Sequence, residues 1–132
     1  MAVSERVFLP VNMDIVSRAK HNGFFREVVS TGPHAQVVVM SIPPMGEIGE
    51  EVHPSVDQVL VVVEGEGVAL LDGGLSPVVP GHLVHVPAGV RHNLTNAGST
   101  DLKLYTVYSP PQHAPGTIHR TKAEADADEE HA

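Results

Sequence analysis

The chain has 132 residues, of which 42% are hydrophobic, and its formal net charge is -8, from 16 acidic and 8 basic side chains. This length fits one domain with one core, and the composition is that of an ordinary globular protein. The acidic balance without a basic stripe argues against nucleic acid and anionic membranes as partners. The absence of cysteine excludes disulfides and thiolate metal sites.

The amino-terminal region, residues 1–16, shows no basic stretch followed by a long apolar run, so no secretory signal is visible. The longest run of valine and leucine, Val59–Val63, is far too short to cross a bilayer. We therefore expect a cytoplasmic protein that does not enter the membrane.

Short β-rich runs make up most of the chain. Residues 1–30 are mixed, with a possible strand at Phe24–Val29. Turn signals rich in glycine and proline then recur at short intervals, and between them lie the runs Gln36–Ile42, Gln58–Val63, Val68–Leu71, Leu83–Val86, Arg91–Thr95 and Leu102–Tyr108. Short strands without helical periodicity between them predict an all-β sandwich, jelly roll or barrel.

Several runs are apolar at consecutive positions, which is typical of strands covered on both faces. We therefore expect a second layer or a partner subunit outside the barrel, and from the latter a homodimer.

The chain becomes irregular after Tyr108, because the three prolines in 109–119 interrupt regular strand pairing. His113 and His119 lie in this segment, where they would either close over a barrel mouth or lie on the surface. Residues 121–132 form an acidic tail that we expect to be solvated. It predicts one weak helix over Thr121–Glu130, with Thr121 as its cap.

The most informative stretch lies between Gly81 and Asn96. It predicts a strand, a tight turn at Pro87-Ala88-Gly89, and a second strand that presents His92 to the inside of a barrel. The spaced residues Gly81, Pro87, Gly89, His92 and Asn96 resemble the second motif of the cupin superfamily. The resemblance covers roughly residues 34–108 and implies a small antiparallel β-barrel of jelly-roll topology, here with an irregular C-terminal segment. The whole chain, 1–132, would form one such domain.

The first cupin motif should lie upstream, and it is present in altered form. Alternation places Glu51 and His53 on the same face of a predicted strand. Cupins usually carry His-x-His, then glutamate, then glycine after six further residues. Counted back from Gly65, Glu51 stands where the first histidine would be, His53 matches the second, and Gln58 replaces the glutamate. Asp57 is the rival to Gln58, because it fits a shorter spacer, but it would point to the opposite face of the strand.

The resemblance implies a metal site made of Glu51, His53, Gln58 and His92. Two imidazoles and one carboxylate suit divalent manganese, iron, nickel or zinc. The net positive charge of such a centre should attract an anionic or enolisable oxygen ligand. The alternative is a barrel that keeps the motif but binds no metal.

Other polar and aromatic residues are candidates for the pocket or the core of the barrel. Strand parity does not say whether His82 or His85 faces inward. The pocket candidates are Gln36, Met40, His85, Tyr105, Tyr108 and His113, with Arg26 as a further pocket or core residue. For the methionine and the tyrosines we favour a place in the core.

We interpret the chain as a metal-binding cupin that acts as a metal-dependent enzyme on a small oxygenated organic or sugar-like substrate. The resemblance permits isomerase or epimerase, dioxygenase, decarboxylase and lyase chemistry, and no sequence feature selects among them. The chain also resembles small single-domain cupins often labelled mannose-6-phosphate-isomerase-like, although its acidic charge and the lack of a phosphate clamp count against sugar phosphates. The alternative function is a non-catalytic module that holds or senses a metal or a small molecule.

Overall fold

The computed structural model describes residues 8–130, which form two antiparallel sheets and two short helices. In chain order the elements are α1 Ile15–Lys20, β1 Arg26–Thr31, β2 Gln36–Ile42, β3 Asp57–Glu64, β4 Gly67–Leu71, β5 Gly74–Val78, β6 Leu83–Val86, β7 His92–Asn96, β8 Leu102–Ser109, β9 Ile118–His119 and α2 Lys122–Glu130. Neither helix of the described chain is long and apolar enough to span a bilayer.

The larger sheet has six strands in the order β6-β3-β8-β2-β1-β9, and the smaller has three in the order β5-β4-β7. The segment 46–51 lies beside β7, where isolated antiparallel bridges join Glu47 to Thr95 and Glu51 to His92. This segment therefore serves as a further edge of the smaller sheet. The chain then crosses to the larger sheet, which it enters at β3.

The core lies between the two sheets, and alternate residues of each strand face it. In β3 the buried positions are Gln58, Leu60 and Val62, whereas Asp57 is exposed. Burial of a valine or leucine side chain contributes about 1.5–3 kcal/mol, so this apolar set fixes which face of β3 turns inward. Gln58 therefore shares a face with the core.

The outer face of the larger sheet is partly covered by α1, whose Ala19 is fully buried. Asp14 caps this helix by accepting a hydrogen bond from the Ser17 amide at 3.1 Å. The chain thus supplies part of the second layer that the apolar strands predict.

The predicted strands agree with β2, β3, β4, β6, β7 and β8 to within one or two residues. No sequence pattern predicts α1 or β5, and β5 contains Pro77, which an exposed edge strand tolerates. The expected lack of pairing over 109–119 is wrong at its end, because β9 pairs with β1. The predicted C-terminal helix is confirmed as α2, and Thr121 Oγ1 accepts from the Glu124 amide at 3.2 Å.

The two sheets approach closely at Gly67, and this predicts a steric requirement for glycine. A Cβ there would lie 2.7 Å from the Thr95 carbonyl oxygen and 2.9 Å from Leu102 Cδ2. We expect Gly67→Ala to lower the free energy of unfolding by about 1–3 kcal/mol, because backbone and core must shift to admit the methyl group. Urea denaturation measures this change. Gly23→Ala is the matched control, since its Cβ would meet nothing within 4 Å; an equal loss in both variants would contradict the prediction.

Candidate functional site

Backbone hydrogen bonds bring the two motif segments together. The Glu51 amide donates to the His92 carbonyl at 2.9 Å, and the His92 amide donates to the Glu51 carbonyl at 3.0 Å. The Gly89 amide donates to the His53 carbonyl at 2.8 Å. The turn that precedes β7 is therefore attached to the segment that carries Glu51 and His53, and the side chains of both segments meet at one end of the barrel.

Asp57 and Gln58 take different roles at this junction. Asp57 Oδ1 accepts a hydrogen bond from the Ala88 amide at 2.9 Å, so this exposed carboxylate holds the turn at 87–89 from outside. Gln58 is 2% exposed and its side chain lies beside His92 inside the barrel. The structure thus brings Gln58, and not Asp57, to the predicted cluster.

Hydrogen bonds orient both partners of the contact between Gln58 and His92. His92 Nδ1 lies 2.9 Å from the Val90 carbonyl oxygen, to which it donates, so Nε2 of a neutral His92 carries the lone pair. Gln58 Nε2 donates to Thr106 Oγ1 at 3.0 Å, which turns Oε1 toward His92. The separation between His92 Nε2 and Gln58 Oε1 is 3.1 Å. Two lone pairs thus face each other in a buried place, an arrangement that favours a cation or a proton at this point.

Glu51 and His53 form a second close pair. Glu51 Oε2 lies 3.3 Å from His53 Nε2, and the two side chains are 26% and 9% exposed. Burial, followed by repulsion from the His92 ring when it is protonated and from the guanidinium of Arg26, lowers the pKa of His53 below its usual value. His53 therefore favours the neutral form at neutral pH, and the neutral form is the one that binds metals.

Two pairs among the four side chains have donor atoms at the spacing of adjacent ligands of one ion. With metal–ligand bonds near 2.0–2.2 Å, neighbouring donors in tetrahedral or octahedral centres lie roughly 2.8–3.6 Å apart. The separations of 3.1 Å and 3.3 Å fall in that range, and the rings of His53 and His92 are 5.3 Å apart between centroids. Over residues 8–130, no group of three or more His, Cys, Asp or Glu side chains already has the spacing of a metal site. Small side-chain rotations would therefore be needed for the four to share an ion.

Three of the predicted pocket residues lie together beside His53. Tyr108 is 2% exposed, and its ring makes edge contacts with His53 at 6.1 Å and with His113 at 5.2 Å between centroids. Gln36 is fully buried, donates to the His113 carbonyl at 2.7 Å and accepts from the His113 amide at 3.0 Å. Gln36 therefore holds the Pro-rich segment over this end of the barrel, with His113 turned toward Tyr108.

The other three pocket candidates lie elsewhere. Met40 is fully buried in the core. His85 is exposed, because the neighbouring Val84 and Val86 occupy the inward positions of β6. Tyr105 lies on the outer face of the larger sheet, where it lines a surface depression with Met13. His85 and Tyr105 are therefore corrected from pocket to outer surface.

A second polar group, which the sequence analysis did not assemble, joins Arg26, His119 and Asp128. Arg26 Nη1 donates to His119 Nδ1 at 3.2 Å, and His119 Nε2 lies 2.8 Å from Asp128 Oδ2. Arg26 and His119 are 2% and 6% exposed. The Asp128 side chain is 67% exposed, as expected for a solvated tail, but it also pairs with the buried His119. The pairing depends on β9 and on the packing of α2, for which the sequence carries no spacing signal.

An internal cavity of about 10 Å³ adjoins Gln58 and His92 on the side away from Glu51, and its other lining residues are mostly apolar. That volume holds about one water molecule. An organic ligand would therefore reach the cluster from the side of Glu51, which is the more exposed of its residues.

The burial of His113 predicts a pH-dependent stability. Burial, then repulsion from Arg26 and from His119 and His53 in their protonated forms, lowers the pKa of His113 to about 3, against a weaker opposite effect of Asp128. The unfolded side chain takes up a proton below about pH 6.5. The unfolded state therefore binds more protons between about pH 6.5 and pH 3, and the free energy of unfolding falls as the pH falls, by at most about 1.4 kcal/mol per pH unit for this group. We expect a shallower fall in His113→Phe between pH 6.5 and pH 4, measured by urea denaturation. Parallel curves for the two proteins would contradict the assignment.

Comparison with known proteins agrees with this architecture. The family model described as Cupin domain matches residues 38–108. The uncharacterized protein YrkC of Bacillus subtilis is 40% identical over 127 residues, which cover 92% of this chain and 68% of YrkC. The crystal structure of BH2720 from Bacillus halodurans has 41% identity and a TM-score of 0.89, over 90% of this chain and 95% of that one.

A more distant relative has a named ligand. The protein of Thermotoga maritima called oxalate-binding protein is 29% identical over 68 residues, which cover 52% of this chain and 56% of that protein. The family model spans residues 38–108, which is more than half of the chain, and the matches to YrkC and BH2720 cover 92% and 90% of it. The chain therefore belongs to the cupin family.

Proposed function

We propose that this cupin binds a divalent transition metal through Glu51, His53, Gln58 and His92, and that it acts through this metal on a small oxygenated organic molecule. The observation that carries the proposal is the facing pair of acceptors, His92 Nε2 and Gln58 Oε1, 3.1 Å apart. Removing two acceptors from water without a donor between them is costly, and a cation offsets that cost. Manganese, iron, nickel and zinc all accept such a mixed nitrogen and oxygen donor set.

Each of the four side chains would contribute through its environment. Val90 and Thr106 hold the His92 ring and the Gln58 amide in place, which is the second layer of support that metal ligands need. His53 is kept neutral by burial and by neighbouring positive charge, which lower its pKa. When bound, the metal would polarise a carbonyl or carboxyl oxygen of the ligand. Glu51, half-exposed at the entrance, is the group placed to exchange a proton with that ligand.

The ligand class follows from charge and access. One carboxylate and two neutral imidazoles would leave a divalent ion with a net charge of about +1, which favours an anionic oxygen ligand. The relative called oxalate-binding protein supports a small carboxylic compound. Isomerase, dioxygenase, decarboxylase and lyase reactions all begin from such a complex. A non-catalytic module would form this complex without converting the ligand. Measuring whether the metal-loaded protein turns over a small carboxylic compound therefore distinguishes the two functions.

Metal content tests the proposal. We expect His92→Ala to lose stoichiometric metal, measured by elemental analysis of protein purified without chelators, because it removes one of four ligands. Gln58→Ala should weaken metal affinity by roughly 10- to 100-fold, a usual cost of changes in and around metal ligands. Both variants should stay folded, since apolar residues build the core.

Asp57→Ala is the matched control, because it removes an adjacent side chain of β3 that faces the other way. It should retain most of the metal of the unmodified protein, because it loses only the hydrogen bond to the Ala88 amide outside the barrel. Full metal occupancy in His92→Ala, or an equal loss in Asp57→Ala and Gln58→Ala, would refute the proposed ligand set.

We also propose that the protein forms a homodimer through the outer faces of β3 and β6. Val61 and Leu83 are paired neighbours there, and Leu83 is 62% exposed. Sedimentation should show a dimer that Leu83→Lys converts to a monomer, because a lysine would be costly to bury at the contact. Leu75→Lys, which replaces a leucine that is 74% exposed on β5, is the control and should remain dimeric. A monomer in the unmodified protein would contradict this proposal.

A further inference from the structure

Arg26 places a positive charge in the interior of the barrel. It is 2% exposed and lies in β1, paired with Met40, which is fully buried and belongs to the apolar core. A guanidinium stays protonated in proteins, so burial does not neutralise it. Its side chain also stacks over the Phe25 ring, 5.2 Å from its centroid. The free-energy cost of burying a permanent charge here must be offset by an interaction with a partner group.

The hydrogen bonds of Arg26 leave part of its fork unused. Nη1 donates to a ring nitrogen of His119, which is a neutral acceptor in the tautomer that donates to Asp128. Nε is buried and has no acceptor. Nε and Nη groups together form the edge with which arginine binds a carboxylate through two parallel bonds. The structure thus holds an oriented guanidinium with a free Nε–H.

His113 presents a second buried polar atom without a partner. Among the described residues, the buried side-chain nitrogen and oxygen atoms that lack a hydrogen bond are Arg26 Nε and His113 Nε2. His113 and His53 both pack against the Tyr108 ring, and the positive charge of Arg26 helps to lower the pKa of each of these two histidines. Buried unsatisfied polar atoms are rare in native proteins, so these two atoms call for a partner that the described residues do not supply.

We propose that Arg26 and His113 form a carboxylate-binding subsite, which holds the acid group of the ligand while its other oxygen atoms reach the metal cluster at His53. This inference rests on the proposed function and names the ligand class of that site. Arg26 Nε–H and a neutral His113 Nε2–H donate to the carboxylate oxygens. His119 and Asp128 are positioning residues, because they hold the guanidinium from the side away from the ligand.

The location of the subsite strengthens the interaction. Both unpartnered atoms are buried and His113 packs against Tyr108, so a carboxylate bound by them would be held away from bulk solvent. Charge-assisted bonds are stronger there than at a surface, because the local dielectric constant is low. A carboxylate has two oxygen atoms, which these two donors match, whereas a tetrahedral phosphate presents further oxygen atoms that they would leave without a donor.

Isothermal titration with sodium oxalate tests the subsite, with sodium phosphate and neutral lactamide as comparison probes. Both the metal-loaded and the chelator-treated protein are titrated. We expect Arg26→Met to weaken oxalate binding by roughly 10- to 100-fold, which is the usual effect of losing a hydrogen bond to a charged group. Lactamide should bind weakly to all proteins, and phosphate more weakly than oxalate to the unmodified protein.

The melting temperature distinguishes a binding role from a structural one. Replacing a buried charge with an apolar side chain of similar length is often neutral or stabilising. We therefore expect Arg26→Met to melt at the same or a higher temperature than the unmodified protein in buffer without small anions, and to gain nothing from added oxalate. Arg91→Met makes the same charge change at a side chain that is 61% exposed, and it should keep full oxalate affinity.

Arg26→Lys provides a second variant that keeps the charge but loses the planar fork. It should bind oxalate more weakly than the unmodified protein. Full oxalate affinity in Arg26→Lys, together with a large fall in the melting temperature of Arg26→Met, would show that the guanidinium is structural and would overturn the proposal. Stronger binding of phosphate than oxalate would also overturn it.

Metal measurements separate this inference from the proposed function. If Arg26→Met keeps its metal and its oxalate affinity, the subsite is refuted while the metal site stands. If the unmodified protein binds no metal but its chelator-treated form binds oxalate through Arg26, the metal site is refuted while the subsite stands.

Discussion

Two backbone hydrogen bonds of 2.9 and 3.0 Å join Glu51 to His92, and they hold the segment with Glu51 and His53 beside the strand that carries His92. They attach the segment 46–51 to β7 and so close one end of the smaller sheet. His53 then follows within two residues, at the point where the chain leaves that sheet for β3. Because Gln58 is the first inward residue of β3, the crossing brings donors from both sheets to one place. The cluster of candidate metal-binding side chains thus forms where the chain passes from the smaller sheet to the larger one.

The interior of the barrel is divided into an apolar part and a polar part. The core valines and leucines fill the space below the cluster, where the cavity has a volume of only about 10 Å³. On the other side of His53 lie the polar side chains of Tyr108, His113 and Arg26, and Arg26 Nε and His113 Nε2 are buried there without a hydrogen-bond partner. A ligand would therefore be bound by its oxygen atoms and not by an apolar body, which agrees with a small and highly oxygenated molecule.

The parts of this structure that sequence predicts well are those with a local signal. The distance from Gly65 favours Gln58 over Asp57, and in the structure Gln58 faces inward because Leu60 and Val62 share its face. The sequence does not predict which face of β6 His85 lies on, because alternation shows which residues share a face but not which face turns inward. The pairing of β6 with β3 places Val84 and Val86 inside, and His85 therefore lies outside. The contact of Arg26 with His119 joins residues 93 positions apart and requires a two-residue strand, so no local pattern could indicate it.

The hydrogen bonds from Arg26 through His119 to Asp128 connect the interior of the barrel to the solvent, so the ionic strength of the medium can affect a buried charge. Arg26 is closed off from solvent, whereas the Asp128 side chain is 67% exposed at the surface of α2. Dissolved salt screens the exposed carboxylate but not the guanidinium. The ionic strength of the medium therefore acts on the buried charge indirectly, through the strength with which a surface carboxylate holds one imidazole. A short acidic tail thus links the electrolyte outside to the orientation of a group deep in the barrel.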